Sequence, residues 1–459
     1  MSELFSTISE YLWGFPMIVL LIGTHLYLTI RLRFPQRYIG KAIKLSFIKD
    51  KNSKGDVSQF SALMTSLAAT IGTGNIIGVA TAITLGGPGA VFWCWLTGFL
   101  GIATRYSEAL LAVKYRTRTA HDTMVGGPMY AIERGMKCKW LAVLFACFAF
   151  LASFGIGDMV QSNAIATVLQ ETLEIPAFWT GTVCTIIVGA VIIFGVKGIS
   201  NVCKRLVPFM AISYLLGCLT LICINIEWII PAFKLIISDA FSSQSISGGV
   251  IGSIITVAMR YGIARGLFSN EAGMGSAPII AAAAQTKNPI RQALVSSTSV
   301  FWDTVVMCAM TGLVLVSSSL ADNSIDINNA TSGLLTQKAF AQIPWHIGTM
   351  PLGTIILTIA ICTFAFSTIL GWSYYGEKAL EYLCGKHGKT GCYVFRILIT
   401  LATFAGANWT LDAVWNFGDT ANALMAIPNL ICLICLSGVL VKETKHYLWD
   451  GNLDEEAEV

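Results

Sequence analysis

Residues 65–78 read TSLAATIGTGNIIG, an apolar stretch interrupted by Gly72, Thr73, Gly74 and Asn75. It lies inside a longer apolar run, 59–86, that is long enough to cross a hydrocarbon core, so the interruption falls at mid-membrane depth. Backbone groups freed there have no water to bind. Such backbone is tolerated only where it is buried in protein or lines a cavity, and the half-helix ends it creates serve as ion and anion sites. The amides of Gly72, Thr73 and Gly74 are therefore candidates for holding a carboxylate, and the carbonyls of Ala68, Ala69, Thr70 and Ile71 for holding a cation. A close helix-packing face of small residues is the simpler reading, and it suits Gly78 better than residues 72–75.

A second, denser interruption occurs five spans later, where residues 262–278 read GIARGLFSNEAGMGSAP. Two glycine-broken and polar-broken spans in corresponding positions of two five-helix halves enter the membrane from opposite sides, because five is odd. That is the sequence mark of an inverted repeat, with a binding site where the breaks meet. The carbonyls of Phe268, Ser269 and Asn270 are candidates for an ammonium group, which carries only donors. The ring of Phe268 is placed to close over a bound substrate.

Composition agrees with this setting. The 459 residues are 55% hydrophobic and 12% charged, with a mean hydropathy of +0.68, and a soluble domain is excluded. Runs of roughly 20 apolar residues give about eleven spans, near 12–31, 59–86, 90–113, 140–169, 178–195, 206–226, 249–284, 290–318, 350–375, 391–409 and 412–441. The stretch 227–250, with Trp228, Pro231 and Lys234, is a loop or an interfacial helix. The chain start carries Glu3 and Glu10 instead of a basic region, so the first apolar run is expected to stay as a membrane helix.

Arg31, Arg33, Arg37, Lys41, Lys44, Lys49, Lys51 and Lys54 crowd into the connection after that run, as they do in cytoplasmic loops. The N-terminus is then expected outside and the C-terminus inside, in a multi-pass plasma (inner) membrane protein. The lack of a transit peptide and of long tails points to a prokaryotic one. The expected fold is an all-α polytopic membrane protein. One N-terminal helix and its basic loop (1–57) precede two five-helix repeats (58–226 and 227–445) with two discontinuous helices, and a cytoplasmic tail (446–459) follows.

Charges inside a membrane are costly and each needs a reason. Arg105 and Glu108 lie three apart and read as a structural pair near the cytoplasmic end of their helix. Arg265 and Glu271 bracket the second break as gate or ion-pair residues. Arg260 reads equally as a gate residue or as a side chain snorkelling to the interface. Asp158 and Gln161 share a face with the notch Gly155-Ile156-Gly157 and would project toward the breaks. Asp303 and Asp419 complete the set. Farther along, Ser367 and Thr368 offer hydroxyls for a hard cation, and Trp372 lies on the same face as Thr368; back-bonding to the helix itself is the simpler role for such hydroxyls. The thirteen cysteines and five histidines are scattered singly, without zinc, disulfide or catalytic spacing, so neither a metal cofactor nor an enzyme is expected. No filter motif or ring of like charges suggests a channel.

The sequence resembles the alanine or glycine:cation symporter family over nearly its whole length. The resemblance is carried by Gly72-Thr73-Gly74-Asn75, by GGPGAVFWCW at 86–95 and by GIARGLFSNEAG at 262–273, with NALMAIPNL at 422–430 a less specific match. Cys94 departs from the family motif, which usually has Met there. The resemblance implies the fold of the amino acid, polyamine and organocation superfamily, with one extra helix in front of ten core helices. It implies sodium as coupling ion, held by the carbonyls of Ala68 and Ile71 and the hydroxyls of Ser367 and Thr368. It also implies a substrate pocket lined by Gln161, Phe268, Thr368 and Trp372, and a second ion site at Thr70 with Asn75.

The expected function is secondary active uptake of a small neutral amino acid, alanine or glycine, with serine or glutamine also conceivable, by sodium symport. The open alternatives are a proton-coupled symporter, with Asp158, Glu271 or Asp303 as relay, and a glutamine-preferring transporter of the same fold. No nucleic-acid partner is expected.

Overall fold

A chain in hydrocarbon must satisfy its backbone internally, and this one does so with helices. The computed structural model of the protein describes residues 13–48, 50, 53–119, 122–241, 257–327, 332–409 and 411–457. The start of the first and seventh expected spans, residue 12 and residues 249–256, lies outside them, as do Lys49 and Lys51.

In chain order the helices are α1 (Phe15–Arg31), α2 (Ile39–Ser46), α3 (Gln59–Thr70), α4 (Gly74–Gly86), α5 (Ala90–Lys114), α6 (Pro128–Gly135), α7 (Lys139–Leu173), α8 (Ala177–Ile192) and α9 (Gly195–Ile224). They continue as α10 (Ile226–Ala240), α11 (Val257–Asn270), α12 (Pro278–Ala281), α13 (Pro289–Ala321), α14 (Ser332–Ala341), α15 (Leu352–Cys384), α16 (Gly388–Asn408), α17 (Leu411–Cys435) and α18 (Ser437–Thr444).

Every expected span coincides with a helix or an interrupted helix. By length and apolarity alone, six described helices qualify as spans, and eight if each bent pair is one span. The remainder escape that test for visible reasons: α5 carries Arg105, Glu108 and Lys114, α8 is only 16 residues long, and α11 stops halfway. Residues 226–240 are helical (α10), which settles that part of the 227–250 stretch; residues 242–250 are outside the described set.

Both expected breaks are present. The axes of α3 and α4 differ by 52° across residues 71–73. Helix α11 ends at Asn270, and the chain crosses to α12 through Glu271, Gly273 and Gly275, all at positive φ. At Gly273 and Gly275 the left-handed backbone suits glycine. For Glu271 the same conformation is strained and is held by its side-chain bonds, described below.

The helices pack in two groups. One forms around α5, against which α11 and α13 lie, with α3 and α4 alongside. In the other, α7 packs on α15 and α8 on α16. Lipid tails are as apolar as leucine, so close van der Waals fit has to hold the groups together. Gly371 of α15 shows the fit: a Cβ there would sit 2.6 Å from the Cβ of Ala69. Large apolar side chains such as Ile186, Phe194, Ile212 and Leu401 remain exposed on the outside of the bundle, as a lipid-facing surface requires. The thirteen cysteines are free thiols.

On the side bearing the basic loops, Val57–Ser58 pairs in parallel with Ala284–Gln285. Arg291 bridges Asp50 and Asp454 there, and Asn288 donates to the carbonyls of Leu453 and Glu455. The C-terminal segment is thereby tied across the entry to α13.

Candidate functional site

The α3–α4 break begins where Ile71 turns extended after Thr70. Asn75 stabilises it from within: its Oδ1 accepts the Gly72 N–H at 2.9 Å. Helix starts leave their first amides without partners one turn earlier, so Thr73 and Gly74 present N–H groups at the head of α4. The two glycines allow other elements to touch the backbone here. A Cβ on Gly72 would lie 2.5 Å from Thr368 Oγ1 and 3.5 Å from Gln161 Oε1, and one on Gly74 would lie 3.1 Å from the Phe268 ring. Thr73 Oγ1 donates to Gln161 Oε1 at 3.1 Å. Residues from α3, α4, α7, α11 and α15 therefore converge on three residues of unwound chain.

The hydroxyls on α15 are geometrically suited to a cation. Ser367 Oγ is 2.9 Å from the Phe364 carbonyl on its own helix and 3.1 Å from the Ala68 carbonyl across the interface. By donating to Phe364 it can turn a lone pair toward α3, where the Ala68 oxygen already points. Thr368 Oγ1 also donates to Phe364, at 3.0 Å, and its remaining lone pair faces Gly72. Hydroxyl and carbonyl oxygens of this kind suit a hard cation.

Trp372 completes one wall. Its ring packs against the Gly157 notch, where a Cβ would sit 2.5 Å from its own Cβ, and its Nε1 donates to Glu271 Oε1 at 2.8 Å. The other Glu271 oxygen accepts from Ser276 at 2.5 Å. Toward the side opposite the basic loops, Trp13, Arg260, Tyr261, Arg265, Phe268 and Asp419 line a cavity of about 130 Å³. Phe268 is 7% exposed and lies under the Arg265 guanidinium.

Several groups named from the sequence have partners within the protein. The Gly72 amide, one of the expected carboxylate donors, is bonded to Asn75 Oδ1. Asn75 itself acts as a clamp more than as an ion ligand, since its Oδ1 is used by Gly72 and its Nδ2 donates to Asp303. The Asn270 carbonyl accepts from Arg105 at 2.6 Å, a charge-assisted bond that puts a cation beside one of the expected ammonium acceptors. The Thr70 hydroxyl back-bonds to Ser66. Asp158 turns away from the breaks and accepts from Thr403 on α16.

Three charged residues have larger roles than their spacing indicated. Arg105 and Glu108 do pair, at 3.5 Å, but they also cap the second break. Glu108 Oε1 accepts the amides of Gly273 and Gly275 and the side chain of Asn429, while Arg105 holds the last carbonyl of α11. Asp303 on α13 joins the two breaks: Oδ1 accepts from Asn75 at 2.8 Å, and Oδ2 accepts from Ser269 at 2.9 Å and Thr304 at 2.7 Å. Buried charge of this kind is retained only with such partners. Its sequence signal was simply an acidic residue inside a span.

Two broken helices with their breaks joined through Asp303 at one small polar site inside a membrane bundle are the arrangement of a secondary active transporter. The fold agrees with solved structures. MhsT in complex with L-phenylalanine superimposes with a TM-score of 0.59 at 15% identity, covering 84% of this chain and 90% of that one. Residues 1–459 match the model of the sodium:alanine symporter family, and the chain belongs to that family. It is 49% identical over 452 residues to the sodium/alanine symporter AgcS of Methanococcus maripaludis, covering 97% of each chain. It is 34% identical to the probable sodium/glutamine symporter GlnT of Bacillus subtilis, covering 96% of this chain and 89% of that one. The family's members are transporters and not enzymes, and the chain is a multi-pass membrane protein.

Proposed function

We propose that this protein takes up a small neutral amino acid, alanine first and glycine or serine next, by symport with sodium. The observation that carries the reading is the contact of Gly72 with Thr368: the same unwound residues adjoin Thr368 and Gln161 at Gly72 and Phe268 at Gly74. Sodium would be held by the carbonyls of Ala68 and Ile71 with Ser367 and Thr368. The substrate carboxylate would meet the amides of Thr73 and Gly74, and its ammonium the carbonyls of Phe268 and Ser269.

An ion on the α3 side orders the backbone whose next residues bind the amino acid. Each ligand then favours the state the other prefers, which is the requirement for coupling. In this reading residues 58–226 and 227–445 are the two inverted repeats. The N-terminus lies outside the cell, the Arg265–Phe268 cavity is the outer vestibule, and the basic-loop side is the cytoplasmic face. Large rings at Phe268 and Trp372 would leave room for only a short side chain.

Uptake of labelled alanine into proteoliposomes under an imposed sodium gradient tests this, with potassium and proton gradients as controls and glutamine as the competing substrate. Sodium-driven accumulation of alanine supports the proposal. Accumulation of glutamine instead, or accumulation driven by protons alone, replaces it with one of its two alternatives.

A further inference from the structure

An apolar groove of about 320 Å³ opens on the outside of the bundle between α2, α3, α9 and α13, away from the transport site. Phe47, Leu63, Leu67, Ile71, Pro208 and Trp302 are among its walls, and Ser46 is the one polar residue in its lining. The Ser46 hydroxyl is turned back onto the Ile43 carbonyl at 2.6 Å.

Three observations identify an occupant. The α3 wall runs from Phe60 to Ile71, about 16 Å at the helical rise, which matches one leaflet of a hydrocarbon core about 30 Å thick. The groove therefore begins at the basic-loop surface and ends at the bilayer centre, as an acyl chain does. At its surface end, Phe34 turns left-handed and the segment Pro35–Ser46 leaves α1 at 63°. Its second part, α2, buries Ala42 and Leu45 while Lys41 and Lys44 stay exposed, the pattern of a helix lying in the interface. Finally, two exposed cations sit one helical turn from the lining at that same end: Lys44 before Phe47, and Arg205 before Pro208. Neither has an ion-pair partner among the described residues.

We propose that this groove binds one anionic phospholipid of the basic-loop leaflet, with an acyl chain in the groove and the phosphate held by Lys44 and Arg205. The inner end of the chain would rest on Ile71, at the first break. It would also rest on Val306 and Met307, which follow Asp303 on α13. The lipid would thus support the backbone that the transport site depends on, whatever the substrate.

Native mass spectrometry of the purified full-length chain, with phosphatidylglycerol or phosphatidylcholine added, tests this without a transport assay. The parent is expected to retain phosphatidylglycerol preferentially. Lys44→Ala/Arg205→Ala should lower that retention on the order of tenfold, from the attraction each basic residue exerts on an anionic lipid, and leave phosphatidylcholine unchanged. Ala211→Trp, which fills the groove, should reduce retention of both lipids. Both variants are surface substitutions, and their elution as the parent species shows whether they are folded. Equal retention of the two lipids by the parent, or undiminished phosphatidylglycerol on the double variant, would overturn the proposal.

Discussion

The side-chain amide of Asn75 donates to Asp303 Oδ1 at 2.8 Å, joining the break in one half of the molecule to a helix of the other. Since Asp303 also accepts from Ser269 beside the second break, one carboxylate sets the spacing of both halves of the site.

Replacing that carboxylate with an amide turns one acceptor into a donor facing other donors. Asp303→Asn should leave Asn75 or Ser269 without its partner, at about 1–3 kcal/mol. If the lost energy falls on the transporting conformation, sodium-driven uptake drops about tenfold or more. Initial rates normalised to reconstituted protein measure this; a parent-like rate would show that Asp303 does not hold the breaks.

Ser367 and Thr368 can each turn a lone pair toward α3. Thr368→Ala removes a ligand of the proposed ion site and leaves the amides and carbonyls of the break in place. The sodium concentration for half-maximal uptake should rise about tenfold, as for loss of a polar contact to a charge, while uptake at saturating sodium falls less. Rates across a sodium titration separate the two, and an unchanged sodium dependence would remove Thr368 from the ion site.

Gly72→Ala should be more damaging than either substitution, because its Cβ would be 2.5 Å from Thr368 Oγ1. The contact can be relieved only by moving α15 or closing the break. Gly72→Ala/Thr368→Ala should regain substrate binding but not sodium dependence. Binding of labelled alanine to purified protein, with and without sodium, distinguishes this from general misfolding.

Asp158 faces Thr403 and not the site. Asp158→Asn keeps an oxygen to accept that hydroxyl, so sodium-driven uptake and its pH profile should stay close to the parent's. A variant that loses its response to pH would restore Asp158 as a proton relay.

On the basic-loop face, Arg291 joins Asp50 to Asp454 and Asn288 holds the carbonyls of Leu453 and Glu455. Truncation after residue 450 removes the carbonyl partners and one of the two carboxylates. Cysteine reactivity at Gln285 of an otherwise thiol-free chain should then increase, reporting freer opening on that side; unchanged labelling would make the tail contacts incidental.

The positions of both breaks were legible in the sequence, because Gly72-Thr73-Gly74-Asn75 and the run from Asn270 to Pro278 cannot continue an apolar helix. The membrane setting and the helical elements also followed from apolar length. Gln161, Phe268, Thr368 and Trp372 could be nominated from helix faces and family resemblance.

Which groups remain available at that site was decided only by tertiary structure. Arg105 bonds the Asn270 carbonyl from another helix, and Asp303 reaches both breaks from a helix that neither motif includes. The physical reason is that local sequence determines where backbone hydrogen bonds must be lost. Apart from the local bond of Gly72 to Asn75, the partners of those freed groups come from residues distant in the chain, and only packing brings them within reach.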